Sequence, residues 1–177
     1  MPSPRTVASP SHGVFAILLT SCDRGRKIYL SSRRCTHPTN AMTLSADTKK
    51  LLDGANFVHL ATLMPDGSPQ SVPVWAGREG DHVVICTGED SLKARNTARD
   101  PRVAISMVDF HDPYSEVQIR GRVIERRPDP DFKTIDAISM KYTGKPFPWR
   151  NPEGRVALVI EVDKEKYTKL PFEHTPQ

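Results

Sequence analysis

One stretch limits what this chain can become more than any other: Val83 to Asp100, VVICTGEDSLKARNTARD. Val83, Val84 and Ile85 are β-branched and apolar, and Cys86 is of a type usually buried, so the segment opens as a core strand. Gly88 breaks the strand, and Glu89, Asp90 and Ser91 are candidate caps for a helix. Leu92 to Arg99 is built of good helix formers carrying Lys93, Arg95 and Arg99. A helix start offers unpaired N–H groups and a partial positive charge, so a lysine one turn in suits a phosphate. The same residues also describe an ordinary capped surface helix with solvated charges, and Asp90 disfavours an anion there. Residue types alone leave both readings open.

The formal charge of +4 on 177 residues suggests nucleic acid until it is located. Arg5, Arg24, Arg26, Lys27, Arg33 and Arg34 against Asp23 give residues 1–41 a net +5, and the remainder is close to neutral. A near-neutral remainder lacks the clustered basic face that binding to a phosphate backbone requires, so no nucleic-acid partner is expected. Residues 1–41 are rich in Pro, Ser, Thr and Arg, which predicts a disordered or mis-assigned tail ahead of a domain at 42–177 that opens with Met42. The apolar run Val14–Leu19 is too short to span a bilayer, and with Thr20, Ser21 and Cys22 it leaves a lipoprotein anchor as the minor alternative. Cys22, Cys35 and His37 lack a fourth ligand for a structural zinc site, so no metal is expected. With Cys86 alone in the domain there is no disulfide framework, and a cytoplasmic, membrane-free protein is expected.

From Met42 onward the pattern is regular. Ser45 caps a short helix, Ala46–Asp53, stopped by Gly54. Asn56 to Met64 reads as a strand apolar on both faces, suited to a barrel interior or an interface. Pro65-Asp66-Gly67-Ser68 turns it into a second strand, Gln70 to Ala76, where Pro73 marks an edge or a bulge. A turn at 78–81 leads to His82–Thr87, so these three strands are expected as a meander. Arg102–Asp109 and Ser115–Arg126 come next as strands, with Gly121 predicting a bend. Asp129–Tyr142 carries an apolar helical stripe, and Arg155–Val162 and Lys166–Leu170 read as two closing strands. No P-loop, G-x-S-x-G, G-x-G-x-x-G or H-E-x-x-H occurs. His59, His82 and His111 stand singly. His111 and Asp112 form the one candidate base pair, with no nucleophile beside them. No catalytic residue is identified, so the hard chemistry of any enzyme here would belong to a bound cofactor.

FVHLATLMPDGSPQSVPVW, VVICTGEDSLKARNTARDPRVAISM and YSEVQIRGRV, in this order and spacing, with a late YTGKPFPWR, resemble the pyridoxamine 5'-phosphate oxidase-like split β-barrel family. The resemblance is nearer to the deazaflavin branch, which uses coenzyme F420. It covers roughly residues 55–170. It implies a mainly β, six-stranded split barrel with short flanking helices, forming a homodimer with the cofactor at the interface. It implies a phosphate anchor at Lys93 with Ser91 and Asn96 beside it. Gln70, Val72 and Pro73 then fall on the strand lining an isoalloxazine-type ring, Thr87 on the strand end before the phosphate helix, and Trp149 where a partner subunit closes the pocket. Ser91 stands where some relatives carry a second cation, which suits a phosphodiester better than the terminal phosphate of FMN. The tail of F420 would then lie toward Arg95 or Arg99. The implied activity is hydride transfer from reduced F420 to an unsaturated small molecule, shaped by loops 110–114 and 144–154. The alternatives are an FMN-dependent oxidase or reductase and a non-catalytic carrier of the cofactor.

Overall fold

The computed structural model describes residues 42–151 and 153–175. The tail features, from the Val14–Leu19 run to Cys22, Cys35 and His37, lie outside the described residues. Helix α1 spans Ala46–Asp53, opened by Ser45, whose hydroxyl accepts from Thr48 N, and closed at Gly54. The strands are β1 (Val58–Leu63), β2 (Pro69–Val74), β3 (Gly77–Glu79), β4 (His82–Gly88), β5 (Arg102–Val108), β6 (Ser115–Pro128) and β7 (Arg155–Lys169), with α2 (Leu92–Arg99) after β4 and α3 (Lys133–Thr143) after β6.

All seven strands form one antiparallel sheet in the order β2-β1-β5-β6-β7-β4-β3. Its two edge strands, β2 and β3, are consecutive in the chain, joined only by Trp75 and Ala76. Three residue steps reach at most about 11 Å, so the sheet must curl until its edges meet at this connector. Sheet and connector together make a split β-barrel, closed by chain rather than by a ladder. The core inside it is Val58, Leu60, Val83, Ile85, Ile105, Met107, Val117, Ile119, Ile160 and Val162 with Leu51 and Leu52 of α1.

The curl accounts for the departures from the sequence expectations. The barrel has seven strands rather than six, because Arg78 and Glu79 pair into β4 and leave only Gly80 (φ 62°) and Asp81 as a hairpin turn. The expected meander is absent: β2 ends at Val74 and pairs β1, whereas β4 pairs β3 and β7. The two closing strands are one, since β7 pairs β6 along its whole length. The third helix begins at Lys133 rather than Asp129: Asp129 bends back so that its carboxylate accepts from Thr134 N (2.9 Å) and Ile135 N (3.0 Å), and Pro130 and Phe132 (φ 60°) make the corner. β1 is less two-sided than its composition implies, with Val58, Leu60 and Thr62 buried inward while His59 is exposed outward and Ala61 and Leu63 are half-buried. Gly121 does sit at a bend. The β6–β7 register shifts between Arg120 and Gly121, and a Cβ there would lie 2.2 Å from the Glu161 carbonyl oxygen.

Candidate cofactor cradle

The strand β4 delivers the chain to α2 through Gly88, and the start of α2 is a built corner. Ser91 is the N-cap: its Oγ accepts from Ala94 N (3.3 Å) and from Thr87 Oγ1 (3.1 Å), while its carbonyl accepts from Arg95 N. Of the three candidate caps, Ser91 holds the position because Glu89 and Asp90 occupy the turn that Gly88 opens, where Ser91 N donates to Gly88 O (3.0 Å). With Ala94 and Arg95 satisfied, the N–H groups of Leu92 and Lys93 remain for solvent or a ligand. The first turn of α2 carries no acidic side chain. Lys93 is half-buried, and burial alone pulls its pKa below the ordinary lysine value. Its ammonium makes no hydrogen bond or ion pair among the described residues. Arg99, two turns on, donates to Leu63 O, and Arg95 is exposed.

One turn beyond Lys93, Asn96 is 1% exposed and points into the barrel. Its Nδ2 donates to Thr62 Oγ1 (3.0 Å) and lies 3.5 Å from Met64 Sδ. Thr62 Oγ1 in turn donates to Gln70 Oε1 (3.1 Å), its direct cross-strand neighbour on edge strand β2. A line of three side chains therefore ties α2 through β1 to β2. Sequence reasoning missed Thr62 and Met64. The available signal was the inward parity of β1, where a threonine comes after Val58 and Leu60 on an otherwise apolar face.

The structure thus brings Thr87, Ser91, Lys93, Asn96 and Gln70 into one connected region around α2, with Val72 on the same face of β2 as Gln70. Pro73 falls on the opposite face, across from His59. Trp149 is not brought to this region. It sits in the loop after α3, 73% exposed and edge-on to Phe147 at 5.5 Å. The candidate pair His111–Asp112 is not formed: Asp112 is held by Lys169 and by Ser115 Oγ (2.7 Å), which together keep its carboxyl below the usual carboxylate range.

Among the described residues, three of the clefts that open on the barrel are of similar size. Two share Ala61, Ala104, Arg120 and Lys164 on the outer face of β1, β5, β6 and β7, with volumes of about 640 and about 680 Å3. The first of these is lined by the small residues Ala61, Ser71, Ala104 and Ser106 together with the charged Arg120, Lys164, Glu165 and Lys166. The third, about 640 Å3, lies between α1, β3 and α3. There the Lys141 ammonium donates to Leu52 O (2.6 Å) and Ala76 O, and burial lowers its pKa to about 8. Trp75 stacks on Tyr142 at 5.0 Å, and the Tyr142 hydroxyl accepts from Ala76 N (3.1 Å), so this region clamps the β2–β3 connector. Cys86 donates to Asp129 Oδ2 at 3.6 Å, and burial with that carboxylate pushes its thiol up to about 11, which makes it an inert thiol. Among the described residues no helix is long and apolar enough to cross a membrane.

Comparison with known proteins falls on the same span. The sequence model described as pyridoxamine 5'-phosphate oxidase matches residues 44–169. A solved structure titled F420 Reductase is 29% identical, with a TM-score of 0.62, and the match covers 67% of this chain and 94% of that one. A conserved hypothetical protein of Mycobacterium tuberculosis is 21% identical (TM-score 0.61, 78% and 96% covered). A protein of Bacteroides thetaiotaomicron, titled a putative 5-nitroimidazole antibiotic resistance protein, is 20% identical (TM-score 0.57, 70% and 82% covered). The last two bear on the fold alone. No curated protein matches the sequence.

Proposed function

The chain belongs to the pyridoxamine 5'-phosphate oxidase family, an oxidoreductase-type flavin-binding fold, and from that premise we propose that it is an F420-dependent reductase whose cofactor lies between α2 and β2. The observation that carries this reading is the lone, half-buried Lys93 at an α2 start without acidic side chains, on the helix that also grips Gln70 through Asn96 and Thr62. The 29% identity to an F420 reductase over nearly all of that protein supports the same choice.

The donor set fits the group. The Leu92 and Lys93 amides and the Lys93 ammonium would hold a phosphate, and charge-assisted bonds of this kind are the strong ones. With Ser91 neutral, one nearby cation matches a singly charged phosphodiester better than a dianionic monoester. Gln70 and Val72 would line the ring. When bound, reduced F420 supplies a hydride. The residues of this chain would hold and orient the ring, and the substrate would be a conjugated or otherwise unsaturated small molecule. Lys93 stays charged beside the anion and passes on no proton. In this reading a second copy of the chain covers the outer face of the barrel, and Trp149 reaches the cradle of the partner.

The deciding experiment is the absorbance and mass spectrum of whatever cofactor copurifies, followed by titration of the stripped protein with F420 and with FMN. F420 should bind at least about tenfold more tightly, a difference of roughly 1.4 kcal/mol. Preferential FMN binding would refute the deazaflavin assignment and leave the fold untouched. Oxidation of reduced F420 by a panel of conjugated acceptors separates an enzyme from a carrier.

A further inference from the structure

The line Asn96–Thr62–Gln70 has a direction. A thioether sulfur accepts hydrogen bonds and donates none, so the Asn96 edge facing both Met64 Sδ and Thr62 Oγ1 is its NH2 group. Thr62 Oγ1 receives that N–H and has one proton of its own, which it gives to Gln70 Oε1. Thr62 and Asn96 are each 1% exposed, so no water competes inside the line. With the Thr62 proton given to Gln70 Oε1, the Gln70 carbonyl oxygen is engaged, and the Gln70 NH2, which has no partner among the described residues, remains to donate. Were the Asn96 amide reversed, Thr62 would donate to Asn96 and accept from Gln70, and Gln70 would present an acceptor instead.

We propose that Asn96 and Thr62 are positioning residues that lock Gln70 as a hydrogen-bond donor, so that the cradle selects a ring edge bearing acceptors, a carbonyl oxygen or an unprotonated ring nitrogen. This rests on reading the cradle as a cofactor site and goes beyond it by naming what the ring edge must offer. It also gives Asn96 a task other than phosphate contact, since its amide is engaged inside the barrel. Fixing the amide before binding removes the cost of ordering it afterwards, which is how a neutral hydrogen bond comes to matter for affinity.

The test has two arms. In the first, wild type, Thr62→Val, Thr62→Ser, Gln70→Ala and the double variant Thr62→Val/Gln70→Ala are titrated with F420 and with FMN, and thermal melts check that each is folded. Thr62→Val should weaken the cofactor that wild type binds by about threefold to tenfold, the span of one neutral hydrogen bond. Thr62→Ser, which keeps the hydroxyl, should stay within about twofold, and Thr62→Val should add nothing once Gln70 is alanine. An equal loss from Thr62→Val in both backgrounds means that Thr62 acts by packing and overturns the proposal. The second arm needs no cofactor. In the unliganded wild type, nitrogen-15 spectra should show the Asn96 side-chain NH2 protected from hydrogen exchange and the Gln70 NH2 exchanging freely. A protected Gln70 NH2 reverses the direction of the line and overturns the proposal. If wild type binds neither F420 nor FMN, the cofactor reading falls, and the exchange arm alone decides the direction of the line.

Discussion

Lys93→Ala is the perturbation on which the phosphate anchor depends most directly. The ammonium is held partly out of water with no partner among the described residues, and that burial is why its pKa lies below the ordinary lysine value. In the free protein it is an uncompensated cost, so its removal should leave the melting temperature unchanged or slightly raised, alanine being the better helix former. With a phosphate at the α2 start the same group makes a charge-assisted hydrogen bond worth about 1.5–3 kcal/mol, and its loss should weaken F420 binding about tenfold to a hundredfold. The pH dependence adds a second signature. A bound anion raises the Lys93 pKa, so affinity should be full at neutral pH and decline as pH rises through the lowered pKa of the free protein. Lys93→Ala should be flat across that window. Stability runs the other way: with the native pKa below the unfolded one, the unfolded chain holds more protons between the two, and stability rises with pH there. Fluorescence titrations of both proteins from neutral to alkaline pH measure the affinities, and thermal melts over the same range measure the stability. Equal affinities, or parallel pH profiles, would refute the anchor.

The fold leads to three more expected outcomes. Gly121→Ala drives a Cβ to 2.2 Å from the Glu161 carbonyl oxygen, and neither backbone can yield without opening the β6–β7 ladder, so a loss of about 3 kcal/mol and a fall of about 10 °C in melting temperature are expected. A melt within a degree or two of wild type would mean that the register shift at this glycine is easily moved. The outer face of the sheet around Ala61, Ser71, Ala104 and Ser106 is proposed as a homodimer interface, and light scattering at micromolar concentration should give twice the chain mass of 19.8 kDa. The chain mass itself would remove the role given to Trp149. Residues 42–177 are proposed to fold without the basic tail; a chain begun at Met42 should match the full chain in melting temperature and F420 affinity, and a loss of about 5 °C or more would refute this.

Local chemistry was the part of this molecule that could be read from its residues. Ser45 and Gly54 bound α1, Ser91 was among the candidate caps of α2, Pro73 stood on an edge strand, and Gly121 marked the bend where β6 must change register. What could not be read was non-local pairing. The chain leaves β2 and starts β3 within two residues, and a hairpin is the ordinary inference from such spacing. Here Trp75 and Ala76 instead bridge the two edges of a curled sheet, held by Tyr142 and Lys141 from a helix more than sixty residues away. The Asn96–Thr62–Gln70 line was hidden for the same reason, since it exists only because Gln70 faces Thr62 across a ladder that α2 then covers. A threonine on the inward parity of an apolar strand is a choice that packing alone would not favour, because an unpartnered hydroxyl buried there costs about 1–3 kcal/mol. That cost is offset only if the hydroxyl both accepts and donates, and in this barrel the two partners that satisfy it sit on the helix that would hold the phosphate and on the strand that would hold the ring. In the proposed cradle one helix therefore touches both halves: a shift of α2 that loosens Lys93 would also draw Asn96 away from Thr62, the residue whose hydroxyl holds the Gln70 amide.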